Sequence, residues 1–361
     1  MKSLHQNLFG RIRSWTKLHH TATYALAGAG VVLAAAITAT VILFQSPKQI
    51  EQAVPKPSPS AKPIVYYSPL TGTTVPDDAS TKQAVTGIML ENSPDARPQS
   101  GLKDAGVVFE AIAEGGITRF LAMYQEAKPQ LIGPVRSLRM YYVDWVAPFQ
   151  ASVAHIGGSK AALDEVRGGK YRDVDQFFNA GTYWRATDRY APHNVYTNFE
   201  RLDEFNRKKG YTTSSFTSWP RTDGKATEKP NATKIQVTIS GPLFNSSYVY
   251  DAKSNTYIRS QAGAPHTDRE AGQLTPSSVI VMDTTMVKSF EDGLREQITT
   301  IGNGKARIFQ NGTVIEGTWT KKDRGSQLQF TDAAGKEVQL VRGQTWITAI
   351  PANQRGSVSW Q

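Results

Sequence analysis

From Val107 to Glu114 the chain alternates. Val108, Glu110, Ile112 and Glu114 point one way and Val107, Phe109, Ala111 and Ala113 the other, a period of two that predicts a strand. Gly115-Gly116 follows as a two-residue turn able to take positive φ, and Ile117 to Tyr124 resumes a β-rich run, so the stretch predicts a hairpin. In that register Glu114 faces Ile117, Ile112 faces Arg119 and Glu110 faces Leu121, which sets Arg119 diagonally between Glu110 and Glu114 on one sheet face. Gly133-Pro134 predicts a helix start with proline at the first helical position, and Arg136 and Arg139 then share a helix face. ASVAHI, then Gly157-Gly158-Ser159, then KAALDEVR predicts strand, glycine turn and helix. The N–H groups exposed at that turn favour an anion.

The same reading extends over the rest of the chain. VTGIMLEN predicts a strand that delivers Glu91 and Asn92 to its end, followed by a turn-rich loop carrying Asp95 and Arg97. NFERLDEFNRKKG predicts an amphipathic helix with a glycine stop. Beyond a polar connector the pattern is strand after strand. KIQVTIS alternates, YVYDAKSNTYIRS reads as a hairpin, and SSVIVMDTTMV reads as a buried strand. RIFQNGTVIEGTW turns at Asn311-Gly312, LQFTDAAGKEVQLV is a further hairpin, and GQTWITAIP closes the series. The predicted fold class is an α/β (α+β) layered sandwich over residues 64–217, a connector at 218–233, and a mostly β part over 234–361.

The N-terminus differs in kind. Residues 1–23 carry Lys2, Arg11, Arg13 and Lys17 and no acidic residue, and Tyr24 to Phe44 is an uncharged run of 21 residues. A bilayer core takes about 20 apolar residues, so 24–44 predicts a transmembrane helix, with the basic flank in the cytoplasm and the remainder outside. A cleaved signal is the other reading, although the run exceeds the usual apolar core of a signal peptide. Residues 45–63 hold five prolines among Ser, Lys and Gln, a linker of roughly 25–60 Å depending on coil or polyproline behaviour. Removing the four basic residues that precede the linker leaves 37 basic against 31 acidic residues, a mild excess suited to anionic headgroups or acidic wall polymers. The basic residues are dispersed and the location is external, so no nucleic acid partner is expected.

Composition limits the chemistry. There are no cysteines, which excludes disulfides, thiol catalysis and cysteine-ligated metals, and only six histidines with no HExxH, so neither metal nor cofactor is expected. A Glu110/Glu114 acid/base dyad fails on distance, since four strand residues separate the two by about 13 Å where such dyads need roughly 5–9.5 Å. A structural Glu–Arg–Glu ladder is the plain alternative. Gly157, Ser159 and Ala161 resemble a nucleophile elbow with its last glycine replaced. With Asp175 or Asp188 and then His193 downstream, the order Ser, Asp, His offers a hydrolase reading. His155 and His193 read as hydrogen-bonded structural histidines in preference to a catalytic or metal pair. Trp184, Arg185, Tyr190, His193, Asn194 and Tyr196 form an aromatic, polar-tipped stretch that reads either as a sugar or peptide platform or as rim packing.

The strings ENSPDARPQSGL, FEAIAEGGITRF, GPVRSLR, HIGGS and APHN resemble the YerB-like family of bacterial envelope proteins, a domain of unknown function in N-terminal and C-terminal parts. The resemblance implies an extracytoplasmic, membrane-attached protein with an α/β sandwich and no established activity. It marks Glu91, Asn92, Arg97, Glu110, Glu114, Arg119, Arg136, His155 and His193 as signature positions, and it alone marks the loop of His266 and Asp268. Many relatives are lipoproteins held by a cysteine that this chain lacks. The favoured expectation is a non-enzymatic binding or accessory protein of the cell envelope that recognises an anionic wall component or a protein of wall synthesis. In it Arg97, Arg119, Arg136 and Arg139 supply charge, Glu91, Glu110 and Glu114 orient them, the Gly157-Gly158-Ser159 turn supplies donors, and Asn92, His155, His193 and Asn194 complete the ligand-binding set. The rival expectation is an envelope hydrolase built on Ser159 and His193 or on a carboxylate pair.

Overall fold

The structure, a computed structural model, describes residues 13, 20–44, 64–289, 293 and 295–361. The predicted proline-rich linker and most of the basic N-terminal segment lie outside these residues. The chain divides into two compact units, 1–63 and 64–361.

In the first unit, helix α1 spans His20–Phe44, 25 residues, or about 37 Å at 1.5 Å per residue. Its side chains are described only in part, chiefly over residues 27–36. Among the described residues no helix is long and apolar enough to cross a membrane.

The second unit is mixed α/β, with a mostly β second half. The strands of its two large sheets are β1 (Thr86–Glu91), β2 (Val107–Glu114), β3 (Ile117–Tyr124), β4 (Ser152–His155), β5 (Arg172–Asp175), β6 (Lys234–Thr238), β7 (Ser246–Asp251) and β8 (Thr256–Gln261). They continue with β9 (Ala264–Pro265), β10 (Ser278–Thr284), β11 (Gly302–Gln310), β12 (Thr313–Lys321), β13 (Gln329–Asp332), β14 (Thr345–Pro351) and β15 (Ser357–Trp360). Helices α2 (Met140–Val146), α3 (Lys160–Arg167) and α4 (Phe199–Lys209) complete the frame.

Ten strands form one sheet in the order β13-β12-β11-β10-β14-β2-β3-β1-β4-β5, so the two sequence halves meet inside it, where β14 lies parallel to β2. Every residue of β1 and of β14 is buried, the continuous apolar pattern of strands covered on both faces. On one face α2 stacks Trp145 on Phe109, with ring centroids 5.2 Å apart. On the other face lies a second, antiparallel sheet, β9-β8-β7-β6-β15, which sends Arg259 of β8 to Glu110 of β2.

Several expectations change. The β2–β3 hairpin turns at Gly115-Gly116 with positive φ as predicted, but a bulge between Ile112 and Glu114 slips the register by one, so Ala111 faces Arg119 and Glu110 faces Phe120. An inserted residue moves every later side chain to the other face. Glu110 and Glu114 therefore do not flank Arg119 on a shared face. No helix starts at Pro134. The Gly133-Pro134 peptide is cis, residues 132–138 bridge to Ser100, Leu90, Thr197 and Gly158, and the helix begins at Met140 with Arg139 as its N-cap. Arg136 and Arg139 thus stand on extended chain rather than a helix face. GQTWITAIP does not end the series, because β15 follows and pairs with β6. In the last predicted hairpin, Thr331 and Glu337 form one bridge while Leu340–Val341 pairs with Arg221–Thr222 of the connector.

Candidate functional site

The signature residues fall into four clusters. The first gathers at the end of β1. Glu91 is 3% exposed, and its Oε1 takes hydrogen bonds from Ser93 Oγ (2.8 Å) and His193 Nδ1 (2.9 Å). Arg136 Nε lies 3.1 Å from Glu91 Oε2, an ion pair without hydrogen-bond alignment. Next to it Asn92 accepts from Arg97 Nε (3.1 Å) and Gln99 Nε2 (3.0 Å) and donates to Thr118 (2.6 Å). Arg97 Nη2 also donates to the carbonyls of Asn92 and Leu243. Above this cluster opens a cleft of about 660 Å³ lined by Asp95, Arg97, Asp188, Arg189, Tyr190, Ala191, His193 and Arg269. Arg189 donates to the carbonyls of Asp95 (3.0 Å) and Pro98 (2.7 Å), and Arg269 pairs with Asp188 at 2.6 Å. Tyr190 is 90% exposed.

A second cluster is sealed between the sheets. Glu110 and Arg259 are both 0% exposed. Arg259 Nη2 donates to both Glu110 oxygens (3.1 and 3.0 Å), Nε donates to His266 Nδ1 (2.9 Å), and Nη1 donates to the Tyr248 hydroxyl. Trp346 Nε1 (2.9 Å) and Thr348 Oγ1 (3.2 Å) also donate to Glu110. Burial, then the neighbouring Arg259 and Arg97, holds His266 well below the ordinary histidine range. The neutral ring donates a hydrogen bond from Nε2 to Gln99 Oε1 at 3.1 Å, which links this cluster to the first.

In the third cluster Glu114 accepts from Arg139 (Nη2 2.7 Å, Nε 3.2 Å) and from Arg119 Nη2. Burial pushes the Glu114 carboxyl up, but the two guanidiniums outweigh it and hold the group below its usual range. A cavity of about 340 Å³ lies alongside, with Arg139, Tyr141, Asp144, Ser159 and Arg324 among its lining. The fourth cluster is built on His155, buried between Asp173 (2.8 Å) and the Gly157 carbonyl (2.8 Å).

The glycine turn keeps its donors for the chain itself: Gly157 N–H goes to Asp175 Oδ1 (3.2 Å) and Ser159 N–H to the Leu138 carbonyl (3.1 Å). The anion it prefers is Asp175, which Arg167 also binds at 2.6 Å. Gly158 pairs with Leu138 in a bridge. Ser159 caps α3 by accepting from Ala162 N–H (3.4 Å) and borders the smaller cavity, while His193 borders the cleft with Glu91 and Ser93 as its partners. The two are not brought together. Glu91, Glu110 and Glu114 likewise sit in separate clusters, paired with Arg136, with Arg259, and with Arg119 and Arg139 respectively. Asn194 accepts from Arg185 (2.9 Å) and donates to the Ala186 carbonyl, closing the loop behind His193.

Sequence reasoning missed Ser93, Gln99, Arg189 and Arg259. Arg259 carried a signal: in the alternating strand TYIRSQ it shares parity with Tyr257 and Gln261, the inward positions, while Ile258 points out. An arginine at an inward position demands a buried carboxylate.

The domain described as "Protein of unknown function (DUF3048) N-terminal domain" matches residues 70–212, and the corresponding C-terminal domain matches 235–347. The chain is 32% identical over 316 residues to "Putative lipoprotein YerB" of Bacillus subtilis (strain 168), covering 86% of this chain and 92% of that protein. The crystal structure of the YerB protein from Bacillus subtilis superposes with a TM-score of 0.72 at 31% identity, over 81% of this chain and 99% of the other.

Proposed function

Because the chain belongs to the YerB-like family, made of the DUF3048 N-terminal and C-terminal domains, we propose that it is an envelope binding protein that holds an anionic ligand in the cleft above Glu91 and His193. One observation carries this reading. Arg97 and Arg189 line the cleft, yet among the described residues their hydrogen bonds go to neutral oxygens only. A guanidinium held by neutral oxygens is fixed in place with no carboxylate hydrogen-bonded to it, which suits a bidentate phosphate or carboxylate. Three arginines against two aspartates line the space, and one aspartate is already paired with Arg269.

The relative's description as a lipoprotein supports attachment to the membrane. The chain has no cysteine to carry a linked lipid, so we assign anchoring to the uncharged sequence run 24–44, with the cleft-bearing unit outside. The ligand class is an acidic wall polymer, in keeping with the basic excess beyond α1.

Calorimetric titration of the full chain in mild detergent with a glycerol phosphate oligomer tests the reading. Arg97→Gln combined with Arg189→Gln is expected to weaken binding at least about tenfold, since each hydrogen bond to a charged group is worth about 1.5–3 kcal/mol. Unchanged affinity in a folded double variant, or no binding by the wild type, would sink the proposal.

A further inference from the structure

His193 is held as a base rather than as a packed ring. Its Nδ1 sits 2.9 Å from the oxygen of a carboxylate that is 3% exposed. That contact fixes the proton on Nδ1 and leaves the lone pair on Nε2. Nε2 is directed into the cleft, 4.0 Å from the exposed Asp95 carboxylate. Ser93 Oγ approaches the same Nδ1, at 3.3 Å, so the serine stands on the wrong nitrogen to be a nucleophile activated by this histidine. Beside Asp95, Nε2 faces the open cleft, from which water can reach it.

We infer that His193 is a catalytic base that activates water against a phosphodiester seated between Arg97 and Arg189, with Glu91 as its positioning residue. The inference rests on the anionic ligand proposed above. The water oxygen bonds to phosphorus while its proton passes to Nε2, and the bond from phosphorus to one ester oxygen breaks. The imidazolium, balanced by Glu91, returns that proton to the departing alkoxide. One water and one diester become a monoester and an alcohol. The guanidiniums face the oxygens on which charge accumulates. The Glu91–His193 geometry corresponds to the carboxylate-oriented imidazole of hydrolytic triads, with water in the nucleophile's place.

The full chain is assayed for nitrophenolate release from bis(p-nitrophenyl) phosphate, with binding of the same diester followed by calorimetry. His193→Gln is expected to lower turnover by about 100-fold or more while changing affinity less than about threefold. Glu91→Gln should reduce the rate and displace the pH–rate profile, which a merely structural role would not do; it also replaces the first variant if that one melts below the assay temperature. Binding without turnover in the wild type, or equal turnover in His193→Gln, overturns the inference and leaves the binding proposal standing. Absence of wild-type binding removes both.

Discussion

Replacing Arg259 by methionine isolates the strongest tie between the two sheets. The guanidinium makes two hydrogen bonds to Glu110, one to His266 and one to Tyr248, and its Cζ stands 4.2 Å from the Trp346 ring centroid. Methionine keeps the stem and roughly the volume but removes every donor. Glu110, 0% exposed, then retains only Trp346 and Thr348. Removing one partner of a buried ion pair costs about 3–5 kcal/mol, because the other charge is left in a poor solvent. In a unit of this size each kcal/mol moves Tm by about 2 °C, so Arg259→Met should melt about 6–10 °C below the wild type, read by tryptophan fluorescence. Adding Glu110→Gln removes the stranded charge, and the double variant should recover part of the loss, giving a coupling energy of about 2 kcal/mol. A single variant within 2 °C of the wild type, or strictly additive losses, would refute the reasoning.

The Glu114 carboxyl, held below its ordinary range by Arg119 and Arg139 against burial, contributes stability that is complete above the unfolded carboxylate range and lost as pH falls through the folded value. The Tm gap between wild type and Glu114→Gln should therefore narrow from pH 7 to pH 3, and a constant gap would disprove it. Gly317 on β12 faces the Thr331 backbone, whose carbonyl oxygen would lie 1.9 Å from an added Cβ. Gly317→Ala should detach β13 and cost about 1–3 kcal/mol in denaturant unfolding, whereas a neutral result would mean the edge strand has room to move.

Much of this architecture was legible because strong local signals agreed with the global fold. The double glycine at 115–116, Asn311-Gly312 and the Ser159 cap each act within a few residues. The site was less legible because it is assembled from distant strings. ENSPDARPQS and APHN meet only because β1 ends beside the loop that carries His193. The bulge before Glu114 has no marker in VVFEAIAE, and it alone moved Glu110 to the opposite face from the residue expected to be its partner. Proline after glycine suggested a helix start, but the chain there is bridged to its neighbours on both sides, and Gly133 packs against Tyr196, whose ring would sit 2.6 Å from an added Cβ. Arg136, Arg139 and Arg119 were found as charges without the register that assigns each its carboxylate.

The parallel seam between β14 and β2 has a consequence for how the protein is made. Thr348 and Glu110, bonded across it, are 238 residues apart. Until residues 345–351 emerge, the strand VVFEAIAE has β3 on one side and a bare row of amides and carbonyls on the other. Such an edge recruits other chains, and a closure of this span is slow. Synthesis of this polypeptide thus runs as far as residue 344 with that edge still open, and β14 is what makes the product safe from self-association.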